Sequence, residues 1–453
     1  MESLADEICR VRLARFWGRV VRIKAGLVHV SGLDMHASVG DRVALSMGCG
    51  GVVHGEIIAL EPGDAVVLTE GPVEGLSVGA DVELLFAPRI APDESWIGRV
   101  VDPFAQPLDG RPLRDGPVSR GYRRPPPAAA TRGRLGVRMA TGMAVFDTLL
   151  PLVRGQRIGL FAGSGVGKST LLSNLARGVE ADVIVIAMIG ERGRELREFV
   201  ESVLGPEGMA RSVVVAATSD QSPLVRRRCA WAAMSVAEYF RDLGKHVLFL
   251  ADSITRFAEA HREIALAGGE SASDRGYPPS TSHLIMSLAE RAGPGPDLPD
   301  QPRGDITGIF SVLVAGSDMD EPVADILRGV LDGHVVMDRA IAERGRFPAI
   351  DVLRSVSRSL PHAASETENQ MIRHARAALG AYAESETMIK AGLYAAGSDP
   401  ALDEAVRIWP ALDAFVGLPS GGGVSASFQA LAAALRSAPQ GRGQARAGAV
   451  RLS

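Results

Sequence analysis

Residues 159–178 read GLFAGSGVGKSTLLSNLARG, and this stretch decides the fold. The apolar run IGLF at 158–161 reads as a buried strand, the glycine-rich segment after it as a tight loop, and KSTLLSNLARG as a helix. A loop that feeds a helix N-terminus aims several free backbone N–H groups at one spot, which suits a phosphate. Gly163, Ser164, Gly165, Val166, Gly167, Lys168, Ser169 and Thr170 would form that cradle. Lys168 supplies a point charge to the β- and γ-phosphates, and the Ser169 hydroxyl is a ligand for Mg²⁺. The first position of the GxxxxGK pattern is Ala162 instead of glycine, so the turn is a variant that keeps the residues nearest the phosphate.

Two other stretches gain meaning from this loop. HVLFLADS at 246–253 is an apolar strand ending in Asp252. A lone aspartate at a strand end usually caps the next helix, but beside a phosphate loop it can hold the hydration shell of Mg²⁺. MIGERGRELREF at 188–199 follows the strand VIVIA and offers Glu191 as a general base for the attacking water. Arg192, next to it, can pair with the γ-phosphate.

Working outward, IGLF, VIVIAMI, SVVVAAT, HVLFLAD and GIFSVLVAG alternate with helical stretches. Apolar strands separated by helices imply an α/β fold whose parallel sheet is covered on both faces. A Pro- and Arg-rich linker, DGPVSRGYRRPPPAAATRG at 115–133, precedes them. From about Pro361 the pattern is helical, as in ENQMIRHARAALGAYA, and the tail PQGRGQARAGAVRLS reads as disordered.

Before the linker the texture is different. RVVRI, LVHV, RVALS, GEIIAL, AVVLT and DVELLF are short β-rich runs separated by SGLD, EPGD and GPVEG, which suggests a small closed barrel. An oligonucleotide-binding barrel is the rival reading. Residues 1–95 hold 14 Asp/Glu against 8 Lys/Arg, with Phe16, Trp17 and Phe86 as their aromatics, a poor platform for single strands. Ahead of the barrel, Leu4, Ile8 and Val11 sit at helical spacing. That helix reads equally as one packed on its own domain or as a docking handle for a regulatory partner.

The totals agree with a multidomain globular protein. The chain has 453 residues, 46% hydrophobic and 23% charged, with a formal net charge of −4 that gives no reason to expect nucleic acid. Cys9, Cys49 and Cys229 are far apart with no CxxC spacing, which fits a reducing, cytoplasmic setting. The start MESLADEICR lacks a signal-peptide pattern, and no apolar run is long enough to span a bilayer. The expected divisions are an N-terminal helix at 1–18, a β-barrel at 19–90, a phosphate-loop α/β domain at 91–360, a helical domain at 361–438 and a tail at 439–453.

GLFAGSGVGKSTLL, MIGERGRELREF, ATSDQSPLVRRRCA, LFLADSITRFAEAHREIALAGGE, RGYPPS, LDGHVVMDR, ERGRFPAIDVLRSVSR and GLYAAGSDPALDEAV occur in this order. Together they resemble the flagellar type III export ATPases, relatives of the catalytic subunit of rotary ATP synthases. The resemblance runs from the barrel onward and implies a barrel, a RecA-like nucleotide domain and a helical domain, assembled as a ring of six. It implies that Lys168, Ser169, Glu191, Arg192 and Asp252 hold Mg²⁺–ATP and its chemistry, and that Phe347 stacks on adenine. It also implies that Arg358, in SVSR, is an arginine finger reaching the neighbouring subunit's γ-phosphate, with Arg354 the lesser candidate.

The partners implied are a stator-like regulatory protein at the N-terminus, a coiled-coil stalk protein, and export-gate and chaperone–substrate complexes. The location implied is peripheral, on the cytoplasmic face of the inner membrane at the flagellar base. TSHLIMSLAERAG and the loop GPGPDLPDQPRG at 293–304 depart from the family pattern. A virulence-system secretion ATPase, a hexameric RNA translocase and a non-catalytic nucleotide-binding subunit are the alternatives. The retained Glu191 argues against the last.

Overall fold

The computed structural model describes residues 14–24, 26–48, 50–299, 302–314 and 319–436. Most of the expected N-terminal helix and the tail from 439 lie outside them. Where the helix was expected to end, Trp17 already opens the first strand.

Six antiparallel strands, Trp17–Lys24, Leu27–Ser31, Arg42–Ser46, Val52–Glu61, Asp64–Thr69 and Asp81–Phe86, close into the expected barrel. Alternation turns Val20, Val28, Val43, Leu45, Ile57 and Leu84 into its core. The barrel is keyed to the central domain by buried charge. Glu56 accepts from Arg227 Nη2 at 2.6 Å and from Arg228, and Arg228 Nη1 also donates to Glu70 at 3.1 Å. Glu56 and both arginines are buried, and charges persist there because they are paired.

The central sheet runs, in spatial order, Ile350–Ser357, Gly333–Met337, Arg157–Ala162, Asp305–Leu313, His246–Asp252, Val183–Glu191, Ser212–Thr218 and Arg99–Val101. All neighbours are parallel except the edge strand Ile350–Ser357, which runs antiparallel to Gly333–Met337. The parallel strands are continuously apolar because helices cover both faces. Leu160, Ile184 and Leu248 join one core, and Phe161, Val185 and Phe249 the other. Gly293–Pro294 pairs with Asp305 and Ile306, so the proline-rich loop after it hangs from the sheet edge opposite the glycine-rich loop.

Three helices, Glu366–Lys390, Pro400–Val416 and Gly423–Arg436, follow the sheet. Ser365 and Glu368 cap the first reciprocally. Ile372, Leu412, Phe415 and Leu431 extend the core over Leu160 and Ile184.

Candidate active site

The strand Arg157–Ala162 is buried almost throughout and passes directly into the loop, and the helix Lys168–Gly178 begins at its end. Gly165 and Gly167 have φ of 75° and 88°, a region that a side chain would strain. A Cβ on Gly167 would lie 3.4 Å from Cδ1 of Phe347, so that ring rests against the loop backbone. Phe347 is nonetheless 54% exposed.

Lys168 donates from Nζ to Asp252 Oδ1, with side chains 10% and 3% exposed. Asp252 is not on the strand next to the loop strand. Asp305–Leu313 lies between, and its Ser311 donates from Oγ to the same Asp252 oxygen at 2.8 Å. Ser311 is the small polar residue inside GIFSVLV, the signal that sequence reading passed over.

Val183–Glu191 is buried up to its last residue, so Glu191 emerges at the same sheet edge. Burial pushes its carboxyl up to about 7, and the Asp252 carboxylate adds to this against the Lys168 ammonium. A hydrogen bond with Glu195 acts in the same upward direction. Such a group is poised to exchange a proton near neutral pH. Arg192 follows Glu191 and opens the next helix. It stands 79% exposed, donating from Nη1 to Glu195 Oε1 at 3.1 Å.

Two cavities flank the glycine-rich loop. One, of about 610 Å³, is lined by Ser164, Thr255, Arg256, Glu259, Arg275 and Tyr277 among others. Arg256 also runs beside Gly190, one residue before Glu191, where a Cβ would meet its Cβ at 3.4 Å. The other, of about 510 Å³, opens between Thr170, Asn174, Phe347 and Pro348, with Gly417 and Pro419 closing it. A flat ring beside a helix N-terminus offers a face for a base and a cradle for its phosphates.

The model of the ATP synthase alpha/beta family nucleotide-binding domain matches residues 142–357, and that of the EscN ATPase C-terminal domain matches 364–436. The flagellum-specific ATP synthase of Caulobacter vibrioides is 44% identical over 419 residues, covering 92% of this chain and 94% of that protein. The chain belongs to the type III export branch of the ATP synthase alpha/beta family. It is an ATPase. The type 3 secretion system ATPase of Pseudomonas syringae pv. syringae is 42% identical over 418 residues, covering 91% of each chain. The assembled ATPase EscN from enteropathogenic Escherichia coli superposes with a TM-score of 0.83 at 32% identity, over 92% of this chain and 100% of that one. EscN in complex with its central stalk EscO gives 0.82, with the same identity and coverage.

In this export ATPase, Arg358 is far from the chain's own glycine-rich loop. Ala162 pairs with Met337, and Met337 with Ile350, at the loop end of the sheet. Gly333 pairs with Ser357 at the other end. The edge strand is bulged, so Ile350 lies opposite Met337 while the Arg358 N–H reaches the Asp332 carbonyl, five residues along the straight partner strand, roughly 16 Å at ~3.3 Å per residue. Arg358 is exposed there, donating from Nη2 to the Arg328 carbonyl at 3.2 Å. Arg354 stands 3.7 Å from Asp338.

Proposed function

We propose that this ATPase hydrolyses Mg²⁺–ATP to energise flagellar type III protein export, as a ring of six whose sites lie between neighbouring copies. The observation that carries this reading is that Glu191 ends the sixth of the eight strands at the loop end of the sheet, whereas Arg358 follows the edge strand Ile350–Ser357 at the other end. A head-to-tail ring sets one copy's Arg358 against the next copy's Glu191, and a heterologous contact whose rotation closes generates such a ring.

Lys168 and the backbone N–H groups of Gly163–Thr170 bind the phosphates, and Phe347 packs against the base. Ser169, exposed in the first helical turn, and the Asp252 carboxylate offer a hydroxyl and a single carboxylate, which is the donor set Mg²⁺ takes alongside substrate phosphates. When bound, that ion neutralises charge on the β- and γ-phosphate oxygens. Glu191 takes the proton of the attacking water as its oxygen bonds to the γ-phosphorus and the bond to the bridging oxygen breaks, yielding ADP and inorganic phosphate. Arg358 of the neighbouring copy stabilises the charge on the moving phosphoryl group, a role worth ~10³–10⁵ in turnover.

The flagellar assignment is supported by the 44% identity to a flagellum-specific relative, and by the texture of residues 300–420. The EscN-type C-terminal model at 364–436 favours the second reading, a virulence secretion ATPase. Failure of the chain to restore flagellar export in a strain lacking its own export ATPase would favour the virulence reading. EscN with EscO supports a coiled-coil stalk partner here, and residues 1–17 are the proposed dock for a stator-like regulator. Export-gate and chaperone–substrate complexes are the proposed clients. Among the described residues no helix is long and apolar enough to cross a membrane, so attachment to the cytoplasmic face of the inner membrane would be peripheral.

Specific ATPase activity measured across a wide range of protein concentration tests the shared site. A cooperative rise supports it. Flat, substantial activity down to the monomer would mean each chain is self-sufficient.

A further inference from the structure

The nucleotide-side face of the helix Lys168–Gly178 carries Thr170, Asn174 and Arg177, spaced so that they line up along one side. These three form one wall of the 510 Å³ cavity, and Phe347, Pro348 and Pro419 contribute an apolar wall. An apolar wall can stack a base but offers little to hold it in one orientation. Asn174 stands ~6 Å along the helix axis beyond Thr170. Arg177 donates from Nη2 to Asn174 Oδ1 at 3.0 Å. A guanidinium has donors and no acceptor, so the amide oxygen is the atom that must face it. The amide nitrogen of this cavity-lining residue then has two donors to offer a ligand.

We propose that Asn174 positions the nucleoside of the bound nucleotide by donating from Nδ2 to an acceptor on the base or the ribose. This inference rests on reading the cavity as the base site of the ATPase. A donor at this place pairs with a ring nitrogen of adenine or with a ribose hydroxyl oxygen, and not with the 6-amino group. Arg177 acts through it, fixing which way the amide points. Asn174 is therefore a positioning residue that should affect how tightly the nucleotide is held and leave the chemical step alone.

The test uses the full chain, with MgATP binding measured by calorimetry and turnover at saturating ATP. Asn174→Leu and Asn174→Asp both remove the donor. The aspartate keeps the shape and the Arg177 partner, so it guards against a folding defect. Each variant is expected to bind ATP about three- to tenfold more weakly, the range for one neutral hydrogen bond, with kcat unchanged.

ATP analogues lacking N1, N3, N7, the 2′-hydroxyl or the 3′-hydroxyl then locate the acceptor. The wild type should bind one of them about as weakly as Asn174→Leu binds ATP, and the variant should be indifferent to that change. Variants that bind ATP within twofold of wild type, or that lose kcat with affinity intact, would overturn the proposal. So would an analogue series in which every member discriminates equally in wild type and variant. Absence of ATP binding by the wild type would instead overturn the site reading, and this inference with it.

Discussion

Lys168→Ala is expected to destabilise the protein before any nucleotide is added. Its ammonium is paired with Asp252 in a setting where the side chains are 10% and 3% exposed. Removing one partner of a buried pair leaves an uncompensated charge and costs ~3–5 kcal/mol. The Ser311 hydroxyl, 2.8 Å from the same carboxylate oxygen, stays in place and softens the loss. The expected cost is therefore near the lower end, ~3 kcal/mol. At ~2–4 °C per kcal/mol for a domain of this size, the unfolding midpoint falls by roughly 6–12 °C. Tryptophan fluorescence during thermal unfolding without nucleotide reads this, because Trp96 and Trp231 are buried in the central domain. The double variant Lys168→Ala/Asp252→Asn should recover most of the loss, having no unpaired charge to bury. A single variant that melts with the wild type, or a double variant as unstable as the single, would refute the buried-pair reasoning. Hydrolysis should be absent in both variants.

Arg358→Ala should leave ATP binding almost intact while turnover drops by ~10³ or more, and a variant that lost binding alone would remove the finger role. Since Glu191 works as a base only when deprotonated and its carboxyl is pushed up to about 7, kcat/KM should climb as pH rises through that value. A profile flat from pH 5 to 9 would separate Glu191 from the chemistry. Glu56→Ala leaves Arg227 and Arg228 buried without their shared carboxylate and should cost ~3–5 kcal/mol, read as earlier proteolytic release of the barrel. Unchanged protease resistance would mean that apolar packing holds the seam.

The parts of the site legible in the sequence are those written as local strings. Strand, glycine-rich loop and helix stand together at 158–178, and Glu191 and Asp252 each end an apolar run. Burial on both faces makes such strands continuous in sequence, so the sheet could be read as well. The edge strand Ile350–Ser357 was harder, because half of it faces solvent and its pattern mixes buried Val352 and Ser355 with exposed Leu353, Arg354 and Val356.

What depended on spatial neighbours was not legible. Ser311 reaches Asp252 because its strand inserts between those of the loop and of Asp252, an order the chain does not announce. Arg192 was read from adjacency to Glu191, and its exposed pairing with Glu195, three residues on, is a contact that this adjacency did not announce. Asn174 was an unremarked polar residue on a helix, and its cavity is completed by Phe347, Gly417 and Pro419 from far along the chain. The resemblance supplied a role for Arg358, and the sheet register adds that Arg358 lies at the end of the sheet away from the chain's own glycine-rich loop.

The most direct test of sites shared between copies is to mix two inactive variants, Glu191→Gln and Arg358→Ala, and measure ATPase activity after the copies exchange. Each Arg358→Ala chain retains Glu191, and each Glu191→Gln chain retains the finger. In an equal, random mixture about a quarter of the interfaces would pair an intact Glu191 with an intact Arg358. Activity is therefore expected to reappear on mixing, up to about a quarter of wild type if the sites act independently. A mixture of exchanged copies as inactive as its components would contradict the shared site.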